Sequence, residues 1–115
     1  MYKEEFKSDD IIYKISVGRN AKENWDLIDV SEKDDVWFHV EDKPSCHVFI
    51  VKPFNCDSIP RDVIIKAAQL CKCYSKYKND KKVKIIYTTI GNIKKGKDIG
   101  SVLITDLKKL ENITI

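Results

Sequence analysis

At 115 residues, 43% hydrophobic and 34% charged, the chain has the composition of one globular domain with a modest core, not of a disordered segment. It lacks any apolar run of about 18 residues, which excludes a membrane-spanning helix. Its first residues, Met1-Tyr2-Lys3-Glu4-Glu5-Phe6, are too charged for a secretion signal, so a cytoplasmic location is expected, with the nucleus second, and no membrane partner.

The net charge of +3 hides an asymmetry: residues 1–60 hold 8 Lys/Arg against 13 Asp/Glu, and residues 61–97 hold 11 against 2. Such a basic block suits phosphate-rich partners. The plainer alternative is a solvated surface in a lysine-biased composition, since the chain has 19 Lys to 2 Arg. That bias alone does not separate acids from bases along the chain.

In chain order, Ile11 to Val17 is rich in β-formers and ends at Gly18, a natural exit turn. Residues 20–30 predict a short helix capped by Asn20, with Glu23 completing a capping box. Residues 36–40 and 46–51 predict an antiparallel hairpin joined across Pro44. Pro53 to Ser58 reads as a loop. Ser58, Pro60 and Asp62 mark the start of a long helix running to about Ser75, with Val63, Ile64, Ala67, Ala68, Leu70, Cys71 and Tyr74 as its core stripe. Tyr77 to Lys82 is a basic loop, and Lys82 to Thr88 is a strand with Val83, Ile85 and Tyr87 on one face. Asn92 to Lys97 reads as a basic turn, and residues 101–105 and 112–115 as short strands. The order predicts an α+β fold: a mainly antiparallel β-sheet with one long and one short helix, the long one on one face, in a single domain spanning residues 1–115.

The four cysteines, Cys46, Cys56, Cys71 and Cys73, do not show the usual zinc spacing and read as reduced, mostly buried thiols. Strand alternation sets Val36, Phe38 and Val40 on one face and Trp37 and His39 on the other. It likewise sends Cys46 and His47 to opposite faces, which disfavours a nucleophile–base pair. His39 and His47 approach across the hairpin, but a metal site needs a third ligand from Asp35, Asp42 or Cys46. Neither a metal nor a cofactor is expected. The chain carries no phosphate-binding loop, zinc-protease or nucleophile-elbow motif, and does not read as an enzyme.

The basic set has the clearest physical logic. Lys72, Lys76, Lys82, Lys84, Lys94, Lys95 and Lys97 are candidate phosphate contacts, with Lys76, Lys94 and Lys95 foremost and Arg19 and Lys97 next. If about five of them touch phosphate, log K falls with log salt at a slope of about −4 to −5. Lysine is a point charge without arginine's bidentate fork, which predicts backbone-led binding with weak sequence reading. Trp37, His39 and His47 are candidates for base or ribose contacts. Tyr74 and Tyr87 fall on apolar stripes and are expected in the core.

A set of motifs carries a family resemblance. Gly18-Arg19-Asn20-Ala21 with Glu23-Asn24 and Asp26 is followed by Asp35-Val36-Trp37-Phe38-His39-Val40 and by Pro44-Ser45-Cys46-His47-Val48. Ala67-Ala68-Gln69-Leu70, Ser75-Lys76, Tyr87-Thr88, Asn92-Ile93-Lys94-Lys95 and Gly100-Ser101-Val102 come next. Together, and in this order over almost the whole chain, they resemble the NFACT-R domain. Two departures are the run 44–47, where the family's usual sequence is Pro-Gly-Ser-His, and a short stretch between Lys95 and Gly100. The resemblance implies a non-enzymatic RNA-binding module of the ribosome quality-control proteins related to Rqc2 and the nuclear export mediator factor. Its implied partners are structured RNA, tRNA or rRNA, and the large ribosomal subunit. The alternative is a DNA-binding or protein-interaction module without a ribosomal role.

Overall fold

The computed structural model describes residues 1–54 and 56–115; Asn55, inside the expected 53–58 loop, lies outside the described residues. The elements run β1 (Tyr2–Ser8), β2 (Ile11–Gly18), α1 (Ala21–Val30), β3 (Val36–Val40), β4 (His47–Val51), α2 (Arg61–Cys73), β5 (Lys84–Thr89), β6 (Ile93–Lys95), β7 (Val102–Ile104) and β8 (Glu111–Thr114). Six strands make one antiparallel sheet in the order β1-β2-β4-β3-β5-β8, and β6 and β7 pair separately. The fold is α+β.

Alternation of side chains along the central strands builds two cores. Tyr13, Ile15, Val17, Phe38, Val48, Ile50 and Ile85 are buried on one face against Val63, Ala67, Ala68 and Cys71 of α2. Fully burying a side chain such as Phe38 contributes roughly 1.5–3 kcal/mol. On the other face Leu27 of α1, Trp37, Phe49, Ile90 and Ile93 are buried together, with Val102 and Ile104 of β7 packed on them. The sheet is therefore covered on both faces, where the sequence predicts a helix on one. Gly18 lets α1 approach β2 closely: a Cβ there would stand 2.2 Å from Asn24 Oδ1.

Asn92 ties the β6–β7 hairpin to the sheet. Its amide donates to Thr88 Oγ1 at 3.0 Å and to the Asp106 carbonyl at 2.9 Å. Its Oδ1 accepts from Thr105 Oγ1 and the Asp106 N–H, both at 2.8 Å. A buried amide satisfied on both ends specifies one position for the elements it joins.

Several expectations change. β1 is missing from the sequence reading because Lys3, Glu5 and Lys7 alternate with Tyr2, Glu4 and Phe6, too few apolar residues to mark a strand. As an edge strand it pairs with β2 along its whole length, through Asp9-Asp10 at φ 49° and 67°. Two successive left-handed residues match the twist of a two-residue hairpin, and Asp tolerates that region. The helices measure 13 and 10 residues, so the contrast of long with short narrows. The expected α2 start shifts to Arg61, with Pro60 at the cap, and its end to Cys73. Tyr74 is exposed and stacks on Tyr2 at 5.1 Å, outside the core stripe. Residues 93–95 form β6 rather than a turn, and residues 102–104 pair with them instead of joining the main sheet. At α1, Asn20 Oδ1 accepts from the Glu23 N–H as expected, whereas Glu23 reaches back to the N–H of Arg19. Of the thiols, Cys46 and Cys71 are buried, Cys56 is half-buried and Cys73 exposed.

Candidate nucleic-acid interface

Strand direction determines which loops meet. Gly18 pairs with His47, Val40 with Ile85 and Lys84 with Thr114, so the end of β2, the β3–β4 turn, the start of β5 and the end of β8 share one end of the sheet. α2 runs toward that same end. Ser8 holds the Asp62 carboxylate at its start, and at its finish Cys46 Sγ donates to the Cys71 carbonyl at 3.3 Å and Lys72 Nζ to the Ile115 carbonyl at 3.2 Å. The 96–100 loop arrives there too, because Gly100 lies against Ala21, just after Arg19.

Of the sequence-derived candidates, Arg19, Lys72, Lys76, Lys82, Lys84 and Lys97 thus belong to one end of the fold. Lys84 shares the α1 face with Ile86, two residues on, which pairs with His39. Lys84 also sits 3.2 Å from Glu41. Arg19, Lys76, Lys82, Lys94 and Lys97 are exposed and, among the described residues, lie beyond salt-bridge distance of any acid. Lys94 and Lys95 stand apart along the hairpin. Lys95 is already engaged, 2.6 Å from Asp29 and over the Trp25 ring at 5.0 Å. The opposite end gathers Asp9, Asp10, Asp34, Asp35, Asp57 and Asp62, near a cleft of about 560 Å³ lined in part by Asp34, Asp57, Arg61, Tyr87 and Glu111.

Trp37, His39 and His47 come together as the alternation requires. The rings of His39 and His47 meet edge to face at 4.8 Å, and Trp37 stacks beside His39 at 5.7 Å. Trp37 and His47 are only 2% and 3% exposed, while His39 is half-buried. Trp37 Nε1 donates to His47 Nδ1 at 3.0 Å, and His39 Nδ1 donates to the Val40 carbonyl at 2.6 Å. Burial, together with the neighbouring His39, pushes the His47 pKa down to about 3, and burial lowers that of His39. Both rings are neutral at pH 7. Cys46 faces α2, away from His47, so the two form no catalytic pair. Among the described residues no three His, Cys, Asp or Glu side chains gather as a metal site requires.

Sequence reasoning missed two neighbours, Lys43 and Trp25. Lys43, outside the basic block, holds its ammonium 4.7 Å from the centre of the Tyr77 ring. Tyr77, beneath it, packs against the α2-side core. Trp25, read only as a helix residue, donates to the Ser101 carbonyl at 3.0 Å and lies under Lys95. The one signal for Trp25 is its place on the Ala21 side of α1, one turn along.

The profile of the family described as "NFACT protein RNA binding domain" matches residues 1–106. Coiled-coil domain-containing protein 25 of Danio rerio is 37% identical over 93 residues, which cover 76% of this chain and 44% of that protein. The Rqc2 homolog RqcH of Bacillus subtilis is 34% identical over 82 residues, covering 70% of this chain and 14% of that protein. The chain thus spans about half the length of the first of these relatives and a small part of the second. Among solved structures, the C-terminal part of the fibronectin/fibrinogen-binding protein from Streptococcus suis superposes with a TM-score of 0.81 at 24% identity. That match covers 100% of this chain and 45% of the other, a likeness of fold.

Proposed function

Since the chain belongs to the family of NFACT RNA-binding domains, we propose that it binds structured RNA, tRNA or rRNA, through the basic end of its sheet and catalyses no reaction. The observation that carries this reading is the topology. Loops distant in sequence meet at the end that holds Arg19, Lys76, Lys82 and Lys97, none with an acid within salt-bridge distance among the described residues. Unpaired ammonium groups release counterions when they meet phosphate, which makes binding strong at low salt and indifferent to sequence. Lys72 and Lys84 extend the same surface, and Lys94 a second one along the hairpin, where Lys95 is held by Asp29.

The likeness to the Rqc2 homolog RqcH supports a setting in ribosome-associated quality control; we further propose a cytoplasmic location and the large ribosomal subunit as the larger partner. Trp37, His39 and His47 are too enclosed to serve as an open stacking platform, so phosphate contacts by the lysines come first. The test is binding of tRNA, rRNA fragments and duplex DNA across a salt series. The expected result is a slope of about −4 to −5 for RNA, shallower in the Lys82→Ala/Lys97→Ala double variant. Absence of binding at low salt, or a slope that this variant leaves unchanged, refutes the proposal. Tighter binding of duplex DNA would identify DNA as the ligand instead.

A further inference from the structure

Beside the two histidines lies a cavity of about 270 Å³, lined by Trp37, His39, His47, Ile86, Gly100, Ser101, Val102 and Ile104. Its chemistry follows from the hydrogen bonds around it. An indole N–H only donates, so His47 Nδ1 is an acceptor, and the proton of that neutral ring sits on Nε2. A carbonyl only accepts, so His39 Nδ1 carries the proton, and its Nε2 is a bare lone pair. The protein itself thereby determines both tautomers, and they are opposite. Neither Nε2 has a hydrogen-bond partner among the described residues, and neither is sealed away from solvent as a buried orphan. The cavity is thus bordered by one donor and one acceptor on adjacent rings, over an apolar wall of Ile86, Val102 and Ile104.

We propose that this cavity receives a single unpaired nucleobase bearing a neighbouring N–H and carbonyl, the imide edge of uracil or guanine, with His39 Nε2 accepting from the N–H and His47 Nε2–H donating to the carbonyl. The inference deepens the RNA-binding reading and rests on it. A base in a duplex hides this edge in pairing, so the ligand is a loop or bulge nucleotide. Gly100 and Ser101 line the cavity from the loop that also carries Lys97. Burial of both rings keeps them neutral, which preserves the donor–acceptor pair at physiological pH. Held in the same orientation, with its ribose toward the Gly100–Ser101 loop, cytosine presents the reverse pattern and would set donor against donor and lone pair against lone pair. A wrong base at a bidentate contact is rejected by about tenfold to a hundredfold.

The experiment compares single-stranded RNA of about ten uridines with the same length of cytidines at one salt concentration, while following the indole N–H resonances of Trp37 and Trp25 by NMR. The expected result is at least about tenfold tighter binding of the uridine strand, a shift of the Trp37 resonance with uridine but not with cytidine, and no Trp37 shift with N3-methyluridine. His39→Ala is expected to bring the uridine affinity down to the cytidine value. If that variant does not fold, the N3-methyluridine comparison on the natural chain decides. Equal affinities with an unmoved Trp37 resonance, while a steep salt dependence persists, overturn the pocket and leave the lysine surface standing. Failure of every RNA to bind removes both.

Discussion

The indole of Trp37 and the imidazole of His47, ten residues apart on neighbouring strands, are joined by a buried 3.0 Å hydrogen bond beside β7. Trp37→Phe keeps much of the ring's bulk and leaves His47 Nδ1 without a donor. A buried polar group stripped of its partner costs about 1–3 kcal/mol. Urea denaturation is expected to show a lowered midpoint with an unchanged slope. An unchanged midpoint would mean that the bond contributes nothing net.

The same ring makes stability depend on pH. The His47 pKa is depressed from 6.5 to about 3 in the folded chain, chiefly by burial. Between those values the unfolded chain binds the proton and the folded one does not, so stability is fully present above about pH 6.5 and falls as pH drops toward 3. The loss is on the order of a few kcal/mol. His47→Asn, which keeps an acceptor for Trp37 and cannot titrate, is expected to flatten this limb. Stability measured by denaturant at several pH values checks it, and parallel curves for the two proteins would contradict it.

Gly100 has φ +88°, and a Cβ there would fall 2.8 Å from both Cα and Cβ of Ala21. Gly100→Ala combines left-handed strain with a backbone clash, so the 96–100 loop must lift from the start of α1. A loss of about 1–3 kcal/mol is expected. The NMR shifts should concentrate at Ala21, Trp25 and Ser101. Wild-type stability in this variant would show that the loop has room to move.

Among the lysines, the structure separates the engaged from the free. Lys95 already faces Asp29 at 2.6 Å, whereas Lys97 is exposed and beyond salt-bridge distance of any acid among the described residues. Lys97→Ala is expected to reduce the salt slope of RNA binding by about 0.9, the share of one phosphate contact. Lys95→Ala should change it less, because an exposed pair is worth only about 0–1 kcal/mol and its removal frees Asp29 to repel phosphate without deleting a counterion-releasing contact. Equal slopes for the two variants would show that Lys95 leaves Asp29 on binding.

Much of the scaffold is legible in the sequence. The alternation of Val36, Phe38 and Val40 against Trp37 and His39 predicts their opposite burial, and the 3–4 spacing from Val63 to Cys71 predicts the buried stripe of α2. These are local periodicities, governed by the pleat and the helical turn. β1 was not legible because an edge strand buries little: Tyr2 and Phe6 are half-buried and the charges between them face water. β6 reads as a turn because a three-residue strand carries too short a pattern, and while β7 falls within the strand expected over residues 101–105, its pairing with β6 and their position depend on Asn92 bonding to Thr88, Thr105 and Asp106.

The family, the faces of the central strands and the excess of lysine after residue 60 can all be read from the residues alone. Each of these is written in residue identity and short-range spacing. It takes the folded arrangement to bring Arg19, Lys76, Lys82 and Lys97 to one end of the sheet and to give His39 and His47 opposite tautomers beside one cavity. The reason is physical. Which loops meet depends on the strand order β1-β2-β4-β3-β5-β8. Which nitrogen carries a proton depends on what lies across from it, and both are set by pairing between residues far apart in the chain.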